Sequence, residues 1–300
     1  MKVVNSIHEL EQVRTVLGGV QVGFVPTMGA LHEGHLSLIE LARKLTDVVV
    51  VSIFVNPLQF GPEEDYARYP RPLQQDLEAC EKAGVEIVFN PGVNDLFPAQ
   101  RQVTVSAGPL GSVFEGAARP GHFDGMLTVV LKLLNLVQPT IAIFGRKDAQ
   151  QLASVKRMVA DLNLDVEIVP APIVREPDGL AMSSRNQYLS PVDRASARAL
   201  SEALRAATAE TSASAARRAA LEVLDRAAAA NANFELDYAE VVDPDTFAVL
   251  DDEDSGSALL VVAASVNGTR LIDNAELTLA APQPAETDGD PVTASRGSGV

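Results

Sequence analysis

Cysteine, tryptophan and basic side chains are scarce in this chain. Its 300 residues include one cysteine, Cys80, and no tryptophan. A single cysteine excludes an intrachain disulfide, and the N-terminal MKVVNSIHEL lacks the apolar block of a signal peptide. Since no apolar run approaches the roughly 18 residues of a membrane span, we expect no membrane segment and no membrane partner. Together these features predict a cytoplasmic protein.

The shortage of positive charge bears on possible partners. Lys and Arg number 24 against 40 Asp and Glu, and the formal net charge is −16 at pH 7. Such a charge repels nucleic acids and anionic membranes, so we expect neither as a partner. An anionic substrate would need a local cluster of cations within this acidic protein.

The first part of the chain alternates between strand-like and helical segments. Five segments have the apolar, β-branched composition of strands: 21–27, 47–56, 85–91, 140–145 and 166–170. Amphipathic helical stretches separate them. This alternation predicts an α/β fold with a Rossmann-like, doubly wound parallel sheet, which we assign to a nucleotide-binding domain over residues 1–172.

The sequence changes character after residue 172. A hairpin is predicted around Pro177-Asp178-Gly179, and an alanine-rich helical region extends to about residue 230. Three strand-like segments follow, the last two joined by Asn267-Gly268, a strong two-residue hairpin signal. We expect a smaller α+β domain over 173–280 and a disordered tail over 281–300, which is rich in Pro, Gly, Ser, Thr and Asp.

Unusual residues follow three of the predicted strands. PTMG, NPLQF and FGRKD come at their carboxyl ends, and those ends share one edge of a parallel sheet. Ligands of open α/β sheets bind at that edge, at a topological switch point. Segments that are distant in sequence are therefore expected to form one site.

The stretch PTMGALHEGHLSLIE contains two of the chain's four histidines, His32 and His35. They lie three residues apart at a predicted helix start, so both imidazoles can face the same side. The helix N-terminus adds free backbone N–H groups and partial positive charge, and Gly34 lets a ligand approach the backbone. These features favour a phosphate site in which neutral imidazoles donate hydrogen bonds.

Two other interpretations of the histidine pair stay open from its spacing. Both side chains could be surface residues without a role. A zinc site would need further ligands, and few remain: His8 lies in a predicted surface helix, leaving His122 and Cys80, the latter predicted to be a buried apolar residue. We therefore expect no zinc.

Two further segments contribute cations. Lys147 in FGRKD is a flexible cation at a strand end and can reach a polyphosphate. Asp148 can instead cap the following helix with Gln151 as its capping-box partner, and Arg146 can face solvent. MSSRN supplies two serine hydroxyls and Arg185, which suit phosphate oxygens, although a turn with a helix cap explains them equally.

Six segments in this order resemble the pantoate–β-alanine ligase (pantothenate synthetase) family. They are FVPTMGALHEGH, VSIFVNPLQF, YPR, EGAARPGHFDG, FGRKDAQQL and DGLAMSSRNQYLS, with weaker similarity through RLIDN at 270–274. HEGH alone indicates the wider HIGH-type nucleotidyltransferase superfamily, in which MSSR stands in the place of the KMSKS-type loop.

The resemblance implies an AMP-forming ligase that makes a C–N bond. In this family the carboxylate of pantoate attacks the α-phosphorus of Mg-ATP, giving pantoyl adenylate and pyrophosphate. The amine of β-alanine then displaces AMP to form pantothenate. The resemblance also implies Mg²⁺ as cofactor and a homodimer.

The family's motif positions imply roles for residues of this chain. The catalytic set is His35 as proton donor with His32, Lys147 and Arg185. Gln59 and Gln151 would hold pantoate, Gln59 would also meet β-alanine, Asn56 would be a further substrate-binding residue, and Asp76 could help to place Mg²⁺. The implied ATP-binding residues are Met28, Gly29, Ala30, Leu31, His32, Glu33, Gly34, His35, Gly145, Arg146, Lys147, Asp148, Val174, Met182, Ser183, Ser184 and Arg185.

Two residues depart from the family pattern. Arg146 stands where an acidic or small residue is usual, and Ala149 stands where an aromatic residue is usual. We expect retained activity with a looser nucleotide or pantoate pocket. Two other functions stay open: transfer of a nucleotidyl group to a phosphorylated acceptor, which would need no amine, and nucleotide binding without catalysis.

Overall fold

The structure, a computed structural model, describes residues 1–62, 65–97 and 101–281. Its larger sheet is parallel throughout. The six strands are β1 (Lys2–Val4), β2 (Val22–Thr27), β3 (Val48–Ile53), β4 (Ile87–Phe89), β5 (Ile141–Gly145) and β6 (Glu167–Ala171). The prediction missed β1, whose three residues are too short a run to show a period. The predicted tail beyond residue 281 lies outside the described residues.

Helices cover both faces of this sheet. They are α1 (Ile7–Thr15), α2 (Glu33–Leu45), α3 (Leu73–Lys82), α4 (Val93–Leu96), α5 (Glu115–Ala118), α6 (His122–Val137) and α7 (Ala149–Asp161). In β3, Val49 and Val51 pack with Ile39 of α2 and Cys80 of α3, whereas Val50 joins the core on the α6 side. The β-branched strand is thus buried on both sides, as its composition predicts.

The strand order is β1-β4-β3-β2-β5-β6. From β2 the chain moves outward through β3 and β4 on one side, and through β5 and β6 on the other. The order reverses between β2 and β5, and the loops after these two strands meet at the crevice. Those loops carry the histidine pair and Lys147, so the predicted α/β fold and convergence are confirmed.

The C-terminal part is an antiparallel sheet covered by helices. Its elements are α8 (Pro191–Ala197), α9 (Ala199–Ala207), α10 (Ala213–Ala230), β7 (Phe234–Val242), β8 (Gly256–Val266) and β9 (Thr269–Leu279), in the sheet order β7-β8-β9. Buried alanines let α9 and α10 approach closely. Asn267 and Gly268 have φ of +50° and +75°, as a two-residue hairpin turn requires. The boundary at residue 172 stays a prediction from sequence.

Candidate active site

The loop after β2 is held in an unusual backbone conformation. Gly29 has φ of +79° and Ala30 has φ of +52°. The carboxylate of Asp76, at the start of α3 and 2% exposed, accepts hydrogen bonds from the N–H groups of Ala30 at 2.9 Å and Leu31 at 2.7 Å. A Cβ on Gly29 would lie 2.9 Å from that carboxylate, so the close approach requires glycine.

Both oxygens of Asp76 are therefore already engaged, and Asp76 does not line the cleft described below. This geometry suits a residue that positions the loop better than one that binds Mg²⁺. Within the three described ranges, no group of three or more His, Cys, Asp and Glu side chains could hold a metal ion.

The hydrogen bonds of the histidine pair assign their tautomers. His32 Nδ1 accepts from the N–H of Gly34 at 3.1 Å, and His35 Nδ1 accepts from the N–H of His32 at 3.3 Å. A ring nitrogen that accepts carries no proton, so each neutral imidazole keeps its proton on Nε2. The ring centroids lie 4.1 Å apart, and the pair presents two Nε2–H donors.

Burial keeps these imidazoles uncharged. Burial, followed by the neighbouring His32 and Lys147, lowers the pKa of His35 to about 3. Burial and then Lys147 also lower the pKa of His32. Because two adjacent imidazolium ions beside a lysine would repel one another, the site favours the neutral forms.

The expectation of free backbone donors at this helix start is wrong for most of the N–H groups. The loop N–H groups are taken by side chains: Gly29 by Thr27 Oγ1, Ala30 and Leu31 by Asp76, His32 by His35, and Gly34 by His32 and Met182 Sδ. These polar groups are satisfied within the protein. Side-chain donors, rather than the helix N-terminus, therefore face the cleft.

The turn after β5 and the MSSR loop supply cations. Lys147 Nζ is 3.6 Å from Asp148 Oδ1, and Arg185 lies near the same carboxylate. Burial would raise the pKa of Asp148, but Lys147 and Arg185 outweigh it and hold the pKa below its ordinary value. Asp148 makes no side-chain cap to α7, so the predicted capping box with Gln151 is wrong.

Neutral amides line the end of the cleft after β3. Asn56 is 1% exposed and donates from Nδ2 to Gln59 Oε1 at 2.9 Å and to the carbonyl of Gly125 at 3.1 Å. Because Gln59 Oε1 accepts this bond, its Nε2 group is left to face the cleft. A Cβ on Gly125 would lie 1.9 Å from the Leu58 carbonyl, so only glycine permits this contact. Asn56 therefore orients Gln59.

Two cleft residues had no role assigned from sequence. His122 Nδ1 donates to the carbonyl of Gln59 at 2.8 Å, and its Nε2 accepts from Arg119 at 3.1 Å. Arg119 also donates to the Gln59 carbonyl at 3.3 Å. Both residues belong to the EGAARPGHFDG segment, so the motif contained the signal, but its spacing alone suggested no chemistry.

A cavity of about 250 Å³ unites these groups. The predicted residues that line it are Met28, His32, Gly34, His35, Asn56, Gln59, Gly145, Lys147, Asp148, Gln151, Val174, Met182, Ser183, Ser184 and Arg185. Gly29, Ala30, Leu31, Glu33 and Arg146 do not line it. A second cavity of about 690 Å³ shares Arg119, Lys147, Asp148, Ser183 and Arg185 with the first and is also lined by residues of β9, so the cleft extends toward the second sheet.

The sequence profile of the family described as Pantoate-beta-alanine ligase matches residues 2–276. The chain belongs to the pantoate–β-alanine ligase family. It is therefore an enzyme that forms an amide bond. Within the described residues, no helix has the length and apolar character needed to cross a membrane.

Relatives of this family match nearly the whole chain. The pantothenate synthetase of Acidothermus cellulolyticus is 57% identical over 275 residues, covering 91% of this chain and 90% of the relative. A crystal structure of pantothenate synthetase from Thermus thermophilus is 48% identical, with a TM-score of 0.84, covering 92% of this chain and 99% of that one.

A third relative was solved with ligands bound. The pantoate–β-alanine ligase of Francisella tularensis, complexed with β,γ ATP and β-alanine, is 35% identical with a TM-score of 0.76. It covers 92% of this chain and 97% of its own.

Proposed function

We propose that this enzyme condenses pantoate with β-alanine at the expense of ATP, through a pantoyl adenylate. The observation that carries the proposal is one cleft in which the loops after β2 and β3 supply uncharged donors, which we call the neutral wall, and the turn after β5 and the MSSR loop supply cations, which we call the cationic wall. An acyl adenylate forms when a carboxylate oxygen attacks the α-phosphorus and pyrophosphate leaves. That step needs alignment of two anions and stabilisation of the departing charge.

The neutral wall suits the acid. Gln59 Nε2 and Gln151 can donate hydrogen bonds to pantoate, and Asn56 and His122 fix the amide and the backbone of Gln59. Arg119 also lines the cavity beside Gln59, but its guanidinium donates to the Gln59 carbonyl and to His122. The donors that we assign to the carboxylate are therefore neutral, and they stabilise its charge less than a cation would, so the carboxylate keeps its reactivity. Asn56 acts in this proposal as a positioning residue.

The cationic wall, together with the histidine pair, suits the triphosphate. Lys147, Arg185 and the hydroxyls of Ser183 and Ser184 line the cavity and would bind phosphate oxygens. The Nε2–H groups of the histidine pair would donate to the same phosphates. Since both imidazoles are neutral, we assign His35 to hydrogen-bond donation rather than to full proton transfer.

Mg²⁺ would accompany ATP and reduce the charge of its phosphates. Few protein ligands are needed, because this ion keeps several waters and binds substrate phosphates. Among the described residues, Asp148 offers a carboxylate that lines the cavity. Asp76, bonded to two backbone N–H groups, is not part of this proposal.

The second step forms the amide. The neutral amine of β-alanine attacks the acyl carbon, the bond from that carbon to the phosphate oxygen breaks, and AMP leaves while the amine loses a proton. The cleft between the two sheets would limit access of water to the adenylate. We also propose a homodimer in the cytoplasm; light scattering on the purified protein tests the dimer.

Pyrophosphate–ATP exchange tests the function. We expect exchange that requires pantoate and proceeds without β-alanine, together with a pantoyl adenylate mass in an amine-free mixture. Absence of pantoate-dependent exchange would end the adenylate proposal. Turnover of a phosphorylated acceptor without any amine would instead favour nucleotidyl transfer.

A further inference from the structure

Strand β9 presents two different faces. Successive side chains of a strand point to opposite sides of the sheet. Leu271, Leu277 and Leu279 belong to the apolar core shared with α9 and α10. Asn274 and Glu276 lie on the other face and contact the turn after β5. The second sheet therefore touches the turn that carries Lys147.

Asn274 donates hydrogen bonds to the main chain of that turn. Its side chain is buried with the residue 6% exposed, and Nδ2 donates to the carbonyls of Arg146 at 2.9 Å and Lys147 at 3.0 Å. Only the amide nitrogen can donate to two carbonyls, so this contact assigns the orientation of the amide. Both of its N–H groups are thereby used.

The neighbouring residue holds the other nucleotide segment. Asp273 receives two hydrogen bonds from Arg175, at 2.6 and 3.1 Å. Arg175 pairs with Ala181 in the hairpin that precedes the MSSR loop, and the N–H of Met182 bonds to the carbonyl of Val174. One dipeptide of β9 thus supports both sides of the cationic wall.

We infer that Asn274 is a positioning residue that keeps the ammonium of Lys147 directed at the phosphates. This inference rests on the proposed function. Without the amide, two carbonyls lose their buried donors and the Arg146–Lys147 peptide is free to rotate. Lys147 would then contact the triphosphate less well. Gln59 and its supports belong to other segments, and Gln151 is held within α7, so the contacts to pantoate would change little.

The test compares Asn274→Ala and Asn274→Asp with wild type in pantoate-dependent exchange. We expect kcat/KM for ATP to fall about 10- to 100-fold, and KM for pantoate to change less than about two-fold. Asn274→Asp should be the weaker enzyme, because its carboxylate would face two carbonyl oxygens.

Glu276→Gln is the matched control. Glu276 lies on the same strand and pairs with the side chain of Arg146 in the same turn, but that ion pair is exposed. We expect a change below about two-fold. In a Lys147→Ala background, Asn274→Ala should have little further effect, because residues that act through one another are not additive.

Three results would overturn the inference: an Asn274→Ala enzyme within two-fold of wild type, an undiminished effect without Lys147, or KM rising equally for both substrates. If wild type shows no exchange, the proposed function fails by itself. Calorimetric titration with Mg-ATP then decides: binding about ten-fold weaker in Asn274→Asp supports the positioning role, and equal binding contradicts it.

Discussion

The wall of the cleft that follows β2 and β3 presents uncharged donors, whereas the wall formed by the turn after β5 and the MSSR loop presents cations. The first contains His35 and Gln59, and the second contains Lys147 and Arg185. Two different anions are to be bound: in the proposed function Gln59 meets the acid, and the histidine pair joins the cations at the triphosphate. A triphosphate that loses pyrophosphate needs charge stabilisation, and an acid that must act as a nucleophile is better oriented than neutralised.

The two walls also differ in how they are supported. His35 Nδ1 accepts a hydrogen bond from the N–H of His32, three residues earlier in the sequence. Asn56 likewise orients Gln59, three residues later. On the cationic wall, Asn274 reaches Lys147 across 127 residues. The neutral wall also depends on distant residues, because Asp76 holds Ala30 and Leu31 and His122 holds the Gln59 carbonyl. The cationic wall differs in that its distant support comes from the second sheet.

The strongest test of the contrast removes a cation. Lys147→Met should lower pantoate-dependent exchange about 10²- to 10³-fold, because a preorganised charge is lost where pyrophosphate departs. Lys156→Met, on the exposed side of α7, is the control and should behave as wild type. Equal rates for wild type and Lys147→Met would show that Lys147 does not stabilise the departing pyrophosphate.

The second largest effect is expected when a negative charge is placed on the neutral wall. Gln59→Glu is nearly isosteric and should raise KM for pantoate about 100-fold, because two carboxylates would repel at close range. KM for ATP should change much less, and Gln59→Ala should be milder. Gln74→Glu, which adds the same charge at an exposed position of α3, controls for net charge. A tolerated Gln59→Glu would contradict the distinction between the walls.

Asp76 tests whether a carboxylate behind the neutral wall positions a loop or binds a metal. Asp76→Asn turns one oxygen into a donor that faces the N–H of Ala30 or Leu31. We expect a loss of about ten-fold in exchange and a lower melting temperature, since a buried donor loses its acceptor. Excess Mg²⁺ should not restore the rate. Full restoration by Mg²⁺ would indicate that Asp76 binds the metal ion.

The histidine pair predicts a pH dependence. The pKa of His35 is lowered to about 3, so between that value and its ordinary 6.5 the unfolded chain binds a proton that the folded chain does not. Stability should therefore fall as pH decreases through this window. Melting curves at about pH 7 and pH 5 should show a smaller drop for His35→Gln than for wild type. An equal drop would mean that His35 titrates normally.

Sequence and structure agree where motifs are local. Strand–helix alternation predicts the α/β class, and the loops after β2 and β5 converge because parallel strands end at one edge. The roles of Asp76 and Asn274 could not be found in this way, since their partners are backbone groups distant in sequence. Most of the donors expected to be free at α2 are taken, in part for the same reason: Asp76 and Met182 come from remote segments, while His32 and His35 act locally.

The smallest effect concerns Ala149, where family members usually carry an aromatic residue. Ala149 packs beside Phe247 and Val261, and a cavity of about 50 Å³ lies against it, also lined by His122 and Gln151. Ala149→Phe would project a ring toward this space and restrict Gln151, so we expect KM for pantoate to fall about two- to three-fold.

The effect of Ala149→Phe depends on whether the surrounding side chains can make room for the ring, because a phenyl group is larger than the cavity. Overpacking would lower the melting temperature without improving KM, whereas adjustment of Phe247 and Tyr238 would leave stability unchanged. Ala149→Leu provides the matched aliphatic variant. An identical KM in both variants and in wild type would show that the pantoate pocket does not sense this position.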